Sequence, residues 1–397
     1  MTEHEADLAS HPGIEGDPRV DAARPEGSVR DPESLAAALG AWLGSVLPAS
    51  ASPRVVEASL PSGNGMSSDT VLFRATWADD GDEVEVDLVA RVAPAADAVP
   101  VFPTYDIAGQ FATIAGVAAH SDVPVPPQRW LETDEAALGA PFFVMERVEG
   151  RVPPDVLPYN FGSWLSEADV ADQQRLQDGI VSVLARLAAI EDAPARFAHL
   201  PGAAEAAAGG SALRAHVERE RRFYDWVAGD GPRSTLIDAA FDWLDAHWPD
   251  DEGAPVLSWG DARIGNVIFD GFDPAAVLDW EMASIAPREV DVAWCIFLHR
   301  FFQDIAEQME LPGMPHFLRR TEVEAAYVAH SGHRPRHMDW HTVYAALRHA
   351  VVMSRVQLRT IHFGQAEMPS DPDDLIMHRA TLEQMLEGTY WTRIGEA

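Results

Sequence analysis

The segment from residue 256 to residue 281 concentrates side chains whose types and spacing could do chemistry. Asp261 and Asn266 are separated by four residues, and Asp279 follows a little further along. A carboxylate can accept the proton of a hydroxyl group, while an amide oxygen and a second carboxylate can hold Mg²⁺ on phosphates. The D-x-x-x-x-N spacing matches a kinase catalytic loop. The set therefore indicates phosphoryl transfer, with Asp261 as candidate base and Asn266 and Asp279 as candidate metal ligands.

A short hairpin is predicted to bring these three side chains together. Two apolar stretches separated by a turn lie between Asn266 and Asp279: Val267–Phe269 and Val277–Leu278. Such stretches are typical of short paired strands. Arg263, in the same loop as Asp261, is a further candidate catalytic residue. The alternative is that Asp261 and Asn266 only cap turns, but the third carboxylate and the hairpin favour a site.

The elements before this segment predict a β-rich region. An amphipathic helix begins near Asp31, and period-two alternation then predicts an antiparallel meander, followed by a helix and two more strands. These strands and the second helix are Val55–Leu60, Thr70–Trp77, Val84–Val92, Thr104–His120 (helix), Gln128–Glu132 and Pro141–Val148. The first part of the chain is therefore predicted to form a small sheet with two helices.

Beyond Pro153 the pattern becomes mainly helical. Apolar residues recur with the 3.6-residue period of amphipathic helices in six segments. They are Glu167–Ile190, Ala212–Val227, Thr235–His247, Val290–Phe302, Glu322–His330 and Trp340–Thr360. A β-rich first part and an α-rich second part predict two lobes with a cleft between them.

The motif W-G-D-A-R-I-G-N at residues 259–266, followed by D-W-E at 279–281, resembles the aminoglycoside phosphotransferase/choline kinase-like family of small-molecule kinases. The resemblance implies an α+β, protein-kinase-like two-lobe fold, with a small antiparallel-sheet N-lobe at 31–148 and a larger helical C-lobe at 149–397. Residues 1–30 are expected to form a disordered acidic tail. Trp259 stands where the family usually has His, and it is expected to brace the loop by packing.

The resemblance also implies a nucleotide site in the N-lobe. Its glycine-rich hairpin would cover the phosphates of ATP with Gly63, Gly65, Ser67 and Ser68. Arg91 occupies the position of the usual phosphate-binding Lys, and its planar fork suits phosphate oxygens. Gln110 occupies the position of the Glu that would orient this cation. The alternative for Arg91 is an ordinary surface salt bridge.

Two further expectations concern the hinge and the base of the catalytic loop. By resemblance, the backbone C=O of Glu146 and N–H of Val148 would bind adenine. The same strand could equally be an apolar core strand that ends in a turn. Asp291 matches the start of a helix in the family, and we expect it to cap that helix and brace the catalytic loop.

Composition excludes several other classes of protein. The 397 residues carry 63 Asp and Glu against 29 basic residues, all of them Arg, for a net charge of −34. This charge disfavours nucleic-acid and membrane-surface partners. The absence of Lys excludes Schiff-base chemistry and a Walker A loop. The lone Cys295 cannot form an internal disulfide and, with no apolar leader or span, predicts a cytoplasmic protein.

The sequence therefore predicts an ATP- and Mg²⁺-dependent phosphotransferase acting on a hydroxyl group of a small molecule. Two alternatives remain open: a catalytically weak, pseudokinase-like binding module, suggested by Trp259, Arg91 and Gln110, or a kinase of a hydroxyacyl-CoA-type metabolite. A polyanionic acceptor of that kind would need an arginine cluster, for which Arg219, Arg221 and Arg222 are the candidates. The acceptor, the choice between ATP and GTP, and the oligomeric state stay open.

Overall fold

The computed structural model describes residues 32–60, 68–94, 99–155 and 158–395. The tail predicted for residues 1–30 lies outside the described residues. Gly63, Gly65 and Ser67 of the predicted nucleotide-covering hairpin also lie outside them, whereas Ser68 is described.

The smaller lobe is built on an antiparallel sheet of five strands in the described part of the chain. Its elements are α1 (Pro32–Val46), β1 (Arg54–Ser59), β2 (Asp69–Asp79), β3 (Asp82–Val92), α2 (Ile107–His120), β4 (Gln128–Glu132) and β5 (Phe142–Glu146). The strand order is β1-β2-β3-β5-β4, with antiparallel pairing throughout. The predicted meander of the first three strands is confirmed.

Local chemistry accounts for these elements. Along β2 the apolar residues Val71, Phe73 and Ala75 alternate into the core, as a half-buried strand requires. Helix α2 begins later than predicted because the Asp106 side chain accepts a hydrogen bond from the Gly109 N–H at 2.8 Å, which makes Asp106 the N-cap.

The larger lobe is mainly helical. Its elements are α3 (Val170–Ala188), α4 (Ala193–Arg196), α5 (Ala203–Ala207), α6 (Ala212–Asp230), α7 (Thr235–Ala246), β6 (Pro255–Ser258), β7 (Val267–Asp270), β8 (Asp273–Val277), β9 (Ser284–Pro287), α8 (Glu289–Gln308), α9 (Arg320–Ser331), α10 (Met338–His362), α11 (Arg379–Glu387) and α12 (Tyr390–Ile394). All six predicted helices are present. The fold is thus α+β and two-lobed, as predicted.

Two small strand pairs position the candidate site. Strands β7 and β8 form the predicted hairpin, and β6 pairs with β9. The β6–β9 pair was not predicted, because strands of four residues formed by distant segments leave almost no periodic signal. Helix α8, which is buried over most of its length, follows β9 and contacts the loop of residues 259–266 through Asp291 and Trp294.

The segment after β5 is tied to the same hairpin. The backbones of Arg151 and Phe269 exchange two hydrogen bonds of 2.9 Å each. This pairing brings the chain that leaves the sheet against the edge of β7. No helix among the described residues is long and apolar enough to cross a membrane.

Candidate active site

The loop after β6 brings Asp261, Asn266 and Asp279 together, as the sequence predicted. Asn266 ends a short 3₁₀ turn, Ile264–Asn266, whose last N–H donates to the Arg263 carbonyl at 3.0 Å. The N–H of Leu278 donates to the Asn266 carbonyl at 2.8 Å, which fixes the next residue, Asp279, beside the loop. Asp279 has a φ of +59°, an uncommon conformation for a residue with a side chain.

The Asp261 carboxylate is held by three side-chain donors. Trp294 Nε1 donates to Oδ1 at 2.8 Å, while Arg263 Nε at 2.9 Å and Asn266 Nδ2 at 2.7 Å donate to Oδ2. Burial by itself raises the pKa of Asp261, but the charge of Arg263 and these hydrogen bonds outweigh it and hold the pKa below its usual value. The carboxylate is therefore ionised and fixed in orientation.

Asp291 anchors the loop just before Asp261. One carboxylate oxygen accepts from the Ser258 hydroxyl at 2.7 Å and the Gly260 N–H at 3.0 Å, and the other accepts from the Trp259 N–H at 2.7 Å. The prediction that Asp291 braces the loop is confirmed. The prediction that it caps its own helix is wrong, because α8 begins two residues earlier and the side chain of Asp291 points to the loop instead.

Trp259 takes the place of the usual His by bonding as well as packing. Its side chain is fully buried, and its indole Nε1 donates to the Leu278 carbonyl at 2.8 Å. This bond joins the catalytic loop to the residue before Asp279. The ring also lies 6.1 Å from that of Trp280, centroid to centroid. Trp259 therefore braces the segment after β8 that carries Asp279.

Arg91 and Asp279 meet across the two lobes. Arg91, near the end of β3, donates from Nη2 to Asp279 Oδ1 at 3.2 Å and from Nη1 to Thr70 Oγ1 at 2.9 Å. Burial raises the pKa of Asp279 above its usual value, with the charge of Arg91 opposing this shift and that of Asp261 adding to it. The pair is a direct side-chain link between the sheet and the segment that follows β8.

The donor set near Asp279 suits a hard cation that also binds phosphate. Asn266 uses its Nδ2 group on Asp261, which leaves the amide oxygen as an acceptor. Among the described residues no three His, Cys, Asp or Glu side chains form a metal cage by themselves. Mg²⁺ is usually bound by one or two carboxylates together with water and substrate phosphates, so Asn266 and Asp279 fit it.

The prediction that Gln110 orients Arg91 is not met by the hydrogen bonds of the described residues. Gln110 is buried on α2, but the guanidinium of Arg91 bonds to Thr70 and Asp279 and not to it. Ser68, the residue before β2, is buried, and its hydroxyl has no hydrogen-bond partner in the described part of the chain. A neutral amide at 110 leaves Arg91 free to pair with the stronger acceptor, Asp279.

Arg263 joins two acidic side chains at the mouth of the site. Besides Asp261, its guanidinium forms a short ion pair with Asp155, from the segment that follows β5. Burial lowers the pKa of Arg263, but the two carboxylates outweigh this effect and raise it. A Cβ added at Gly265 would lie 2.4 Å from an Asp155 oxygen, so a side chain at this position would displace Asp155.

The predicted hinge lies at the end of β5. The Arg147 N–H donates to the Asp87 carbonyl at 3.0 Å, and the chain leaves the sheet there. The side chain of Glu146 pairs with Arg129 at 2.5 Å, and Val148 follows in an irregular, half-buried segment. The two residues therefore stand at the junction of the lobes, where the resemblance expects the adenine site.

A family model described as "Phosphotransferase enzyme family" matches residues 61–326 of the chain. The chain belongs to the phosphotransferase enzyme family. Its curated relatives include the Arabidopsis thaliana protein named Probable acyl-CoA dehydrogenase IBR3, 25% identical over 63% of this chain and 31% of that protein. Acyl-CoA dehydrogenase family member 11 of Gallus gallus is 29% identical over 43% of this chain and 20% of that protein. The chain thus spans a third or less of these relatives.

Solved structures share the fold of this phosphotransferase. A protein of Ralstonia eutropha assigned as an aminoglycoside phosphotransferase has a TM-score of 0.57 at 20% identity, covering 91% of this chain and 98% of its own. A thermostable mutant of aminoglycoside phosphotransferase APH(4)-Ia, in ternary complex with AMP-PNP and hygromycin B, has a TM-score of 0.50 at 15% identity over 90% and 98%. The suspected family and the predicted class of enzyme are confirmed.

The sequence did not single out several residues that complete the site of this phosphotransferase. These residues are Trp294 and Asp155, which bond to Asp261 and Arg263. A D-x-x-W spacing from Asp291 places both residues on one face of α8, and this is the one signal that could have identified Trp294. Nothing in the local sequence links Asp155 to Arg263, because more than a hundred residues separate them.

Proposed function

We propose that this phosphotransferase moves the γ-phosphoryl group of ATP to a hydroxyl group of a small molecule, with Mg²⁺ as cofactor. The observation that carries the proposal is the meeting of Arg91 with Asp279 at 3.2 Å, beside the ionised Asp261. Phosphoryl transfer needs a cation for the phosphates, an acidic side chain that can bind a metal ion, and a carboxylate held in a fixed orientation. Arg91, Asp279 and Asp261 would supply these three groups in one cleft.

Asp261 is proposed to orient the acceptor hydroxyl. Because its pKa is held low, the carboxylate is a good hydrogen-bond acceptor but a weak base. It would receive the hydroxyl proton late, as the bond to phosphorus forms. This timing suits a loose transition state, in which the attacking oxygen keeps its proton until much of the bond to the leaving group has broken.

The two arginines are proposed to bind phosphate oxygens. Arg91 would turn from Asp279 to the α- and β-phosphates, and Arg263 lies beside Asp261, where the transferred group would pass. Asn266 and Asp279 would hold Mg²⁺, which neutralises charge on the phosphates when it is bound. The Ser68 hydroxyl, which has no partner among the described residues, would join the phosphate contacts of Gly63, Gly65 and Ser67.

The remaining parts of the proposal concern the nucleotide base and the lobes. The backbone of Glu146 and Val148 would bind adenine between an N-lobe of 31–148 and a C-lobe of 149–397, and Gln110 would line the same cleft. The APH(4)-Ia mutant, which shares the fold, was solved with AMP-PNP, and this supports nucleotide binding by the present protein. We place the activity in the cytoplasm because a single buried cysteine is typical of reducing compartments.

A second candidate acceptor is a hydroxyacyl-CoA-type metabolite. It is favoured by the names of the curated relatives, which are acyl-CoA dehydrogenases. Two of the arginines suggested for it already have partners, however. Arg221 pairs with Asp245 and lies over Phe241, and Arg219 bonds to His216. An acyl-CoA bound by Arg219 and Arg221 would have to replace these contacts.

The test is a phosphorylation assay with Mg-ATP over a panel of aminoglycosides, small alcohols, sugars and hydroxyacyl-CoA compounds, in parallel with the Asp261→Asn variant. We expect at least one acceptor to be phosphorylated by the wild type and not by the variant. Stabilisation by Mg-ATP in a thermal-shift experiment without turnover of any acceptor, and with no ATP hydrolysis, would favour the binding module over the enzyme. The absence of Mg-ATP stabilisation would overturn both.

A further inference from the structure

Arg348, on α10, is buried directly behind the catalytic loop. Its side chain is 1% exposed, and its Nη2 group donates to the Gly260 carbonyl at 3.1 Å. Gly260 is the residue before Asp261. It has a φ of +93°, and a Cβ there would lie 2.2 Å from the Met282 carbonyl. This backbone conformation directs the Gly260 carbonyl towards α10.

Arg348 also reaches Asp261 by a second route. Its guanidinium carbon lies 4.4 Å from the ring centroid of Trp294, and the indole N–H of Trp294 donates to Asp261 Oδ1 at 2.8 Å. A guanidinium over an indole face is attracted by the ring, and it makes the indole N–H a better donor. Arg348 therefore contacts both the backbone before Asp261 and a side chain that bonds its carboxylate.

The loop is consequently held from both sides by buried charged groups. Asp291 accepts the Gly260 N–H at 3.0 Å, while Arg348 donates to the Gly260 carbonyl. Glu220, on α6, lies 4.0 Å from Arg348, and it is itself buried. Burying a guanidinium costs much desolvation free energy. The contacts that Arg348 makes must offset this cost.

We infer that Arg348 is a positioning residue for Asp261, acting through the Gly260 carbonyl and the ring of Trp294. The inference rests on the proposed function of Asp261 as the group that orients the acceptor hydroxyl. A displacement of the carboxylate by a fraction of an ångström would reduce the rate of transfer, while the nucleotide contacts at Arg91 and Asp279 would remain.

The experiment compares Arg348→Met and Arg348→Lys with a matched control on the same helix. Arg355 is also buried, donates to a backbone carbonyl, that of Pro100, at 2.8 Å, and stacks on a tryptophan, Trp226, at 4.2 Å. Arg355→Met therefore removes a similar set of contacts away from the catalytic loop, together with a 2.8 Å ion pair to Asp230. We expect Arg348→Met to lower kcat about 10- to 100-fold with KM for ATP unchanged, and Arg355→Met to lower kcat less than about twofold.

A spectroscopic measurement separates positioning from general loss of structure. The indole ¹H–¹⁵N resonance of Trp294, assigned by its absence in Trp294→Phe, reports the bond to Asp261. It should shift in Arg348→Met and in Arg348→Lys, because a lysine ammonium cannot stack as a planar guanidinium does. Should Arg348→Met fail to fold, Arg348→Lys, which keeps the buried charge, decides by the same two measurements.

The outcomes distinguish this inference from the proposed function. An unmoved Trp294 resonance, or a kcat loss no greater than in Arg355→Met, while Asp261→Asn still abolishes transfer, overturns the role of Arg348 alone. If Asp261→Asn retains full activity, the proposed function fails first. A loss of kcat with a shifted Trp294 resonance and an unchanged affinity for Mg-nucleotide supports the inference.

Discussion

The two halves of the candidate site are built differently. On the C-lobe side, Asp261 has three side-chain donors, and Gly260, the residue before it, is bonded at both its N–H and its carbonyl. On the N-lobe side, Arg91 bonds only to Thr70 and Asp279 among the described residues, and the buried hydroxyl of Ser68 has no partner there.

The difference shows which half is organised before ligands bind. Catalytic groups gain most when the protein fixes them in advance, since no energy is then spent on reorganisation during the reaction. Phosphate-binding groups, in contrast, must be able to exchange their protein partners for the phosphates when the nucleotide binds. We therefore expect substitutions near Asp261 to change kcat, and substitutions near Arg91 to change nucleotide affinity as well.

The largest effect is expected at Asp279, where the halves meet. Asp279→Ala removes a proposed Mg²⁺ ligand and the partner of Arg91, so Mg²⁺-dependent nucleotide binding should be abolished. Isothermal titration with Mg-AMP-PNP, and with AMP-PNP plus EDTA as control, measures this loss. Binding of Mg-AMP-PNP with wild-type affinity would show that the metal lies elsewhere.

Asp261→Asn tests the half that is organised in advance. The amide is similar in shape but cannot accept the acceptor proton, so kcat should fall at least about 10²-fold, with nucleotide affinity nearly unchanged. Steady-state kinetics and titration with Mg-AMP-PNP on the same preparation check both parts. An equal loss of nucleotide affinity would contradict the separation between the two halves.

Arg91 tests the half that depends on ligand. Arg91→Ala should weaken ATP binding about tenfold and lower turnover with it, and Arg91→Lys should recover only part of the loss, because a point charge replaces a fork. Full activity of Arg91→Ala would show that another cation binds the phosphates.

The same variant has a pH signature. Burial raises the pKa of Asp279, and Arg91 opposes this rise, so Arg91→Ala should raise the pKa further. Protonated Asp279 cannot bind Mg²⁺, and nucleotide affinity should therefore begin to fall at a higher pH in Arg91→Ala than in the wild type. Titrations with Mg-AMP-PNP at a series of acidic to neutral pH values measure this. A shift towards lower pH would contradict the pairing.

The smallest effect is expected at Gln110. Since Gln110 makes no hydrogen bond to Arg91, Gln110→Met, which conserves volume, should change nucleotide affinity by less than about threefold, roughly 0.7 kcal/mol. A loss as large as that of Arg91→Ala would place Gln110 in the phosphate clamp and make the N-lobe half more organised than its hydrogen bonds indicate.

The fold and the centre of the site were largely predictable because their signals are local. Period-two and period-3.6 patterns located the main strands and helices, with ends displaced by up to a few residues where a side chain such as Asp106 sets the cap. The D-x-x-x-x-N spacing and a short hairpin sufficed to bring Asp261, Asn266 and Asp279 together. These residues lie within one segment, so chain geometry nearly fixes their distances.

The partners of these groups depended on tertiary structure. Asp155, Trp294 and Arg348 reach the catalytic loop from the segment after β5, from α8 and from α10, and no local pattern specifies which face of a helix will meet a distant loop. The pairing of Arg91 with Asp279, where the sequence predicted Gln110, also depends on tertiary structure. The sequence alone determined which groups could transfer a phosphoryl group. Only the packing of the helices against the loop decided how those groups are held, because contacts between distant segments form only when the core does.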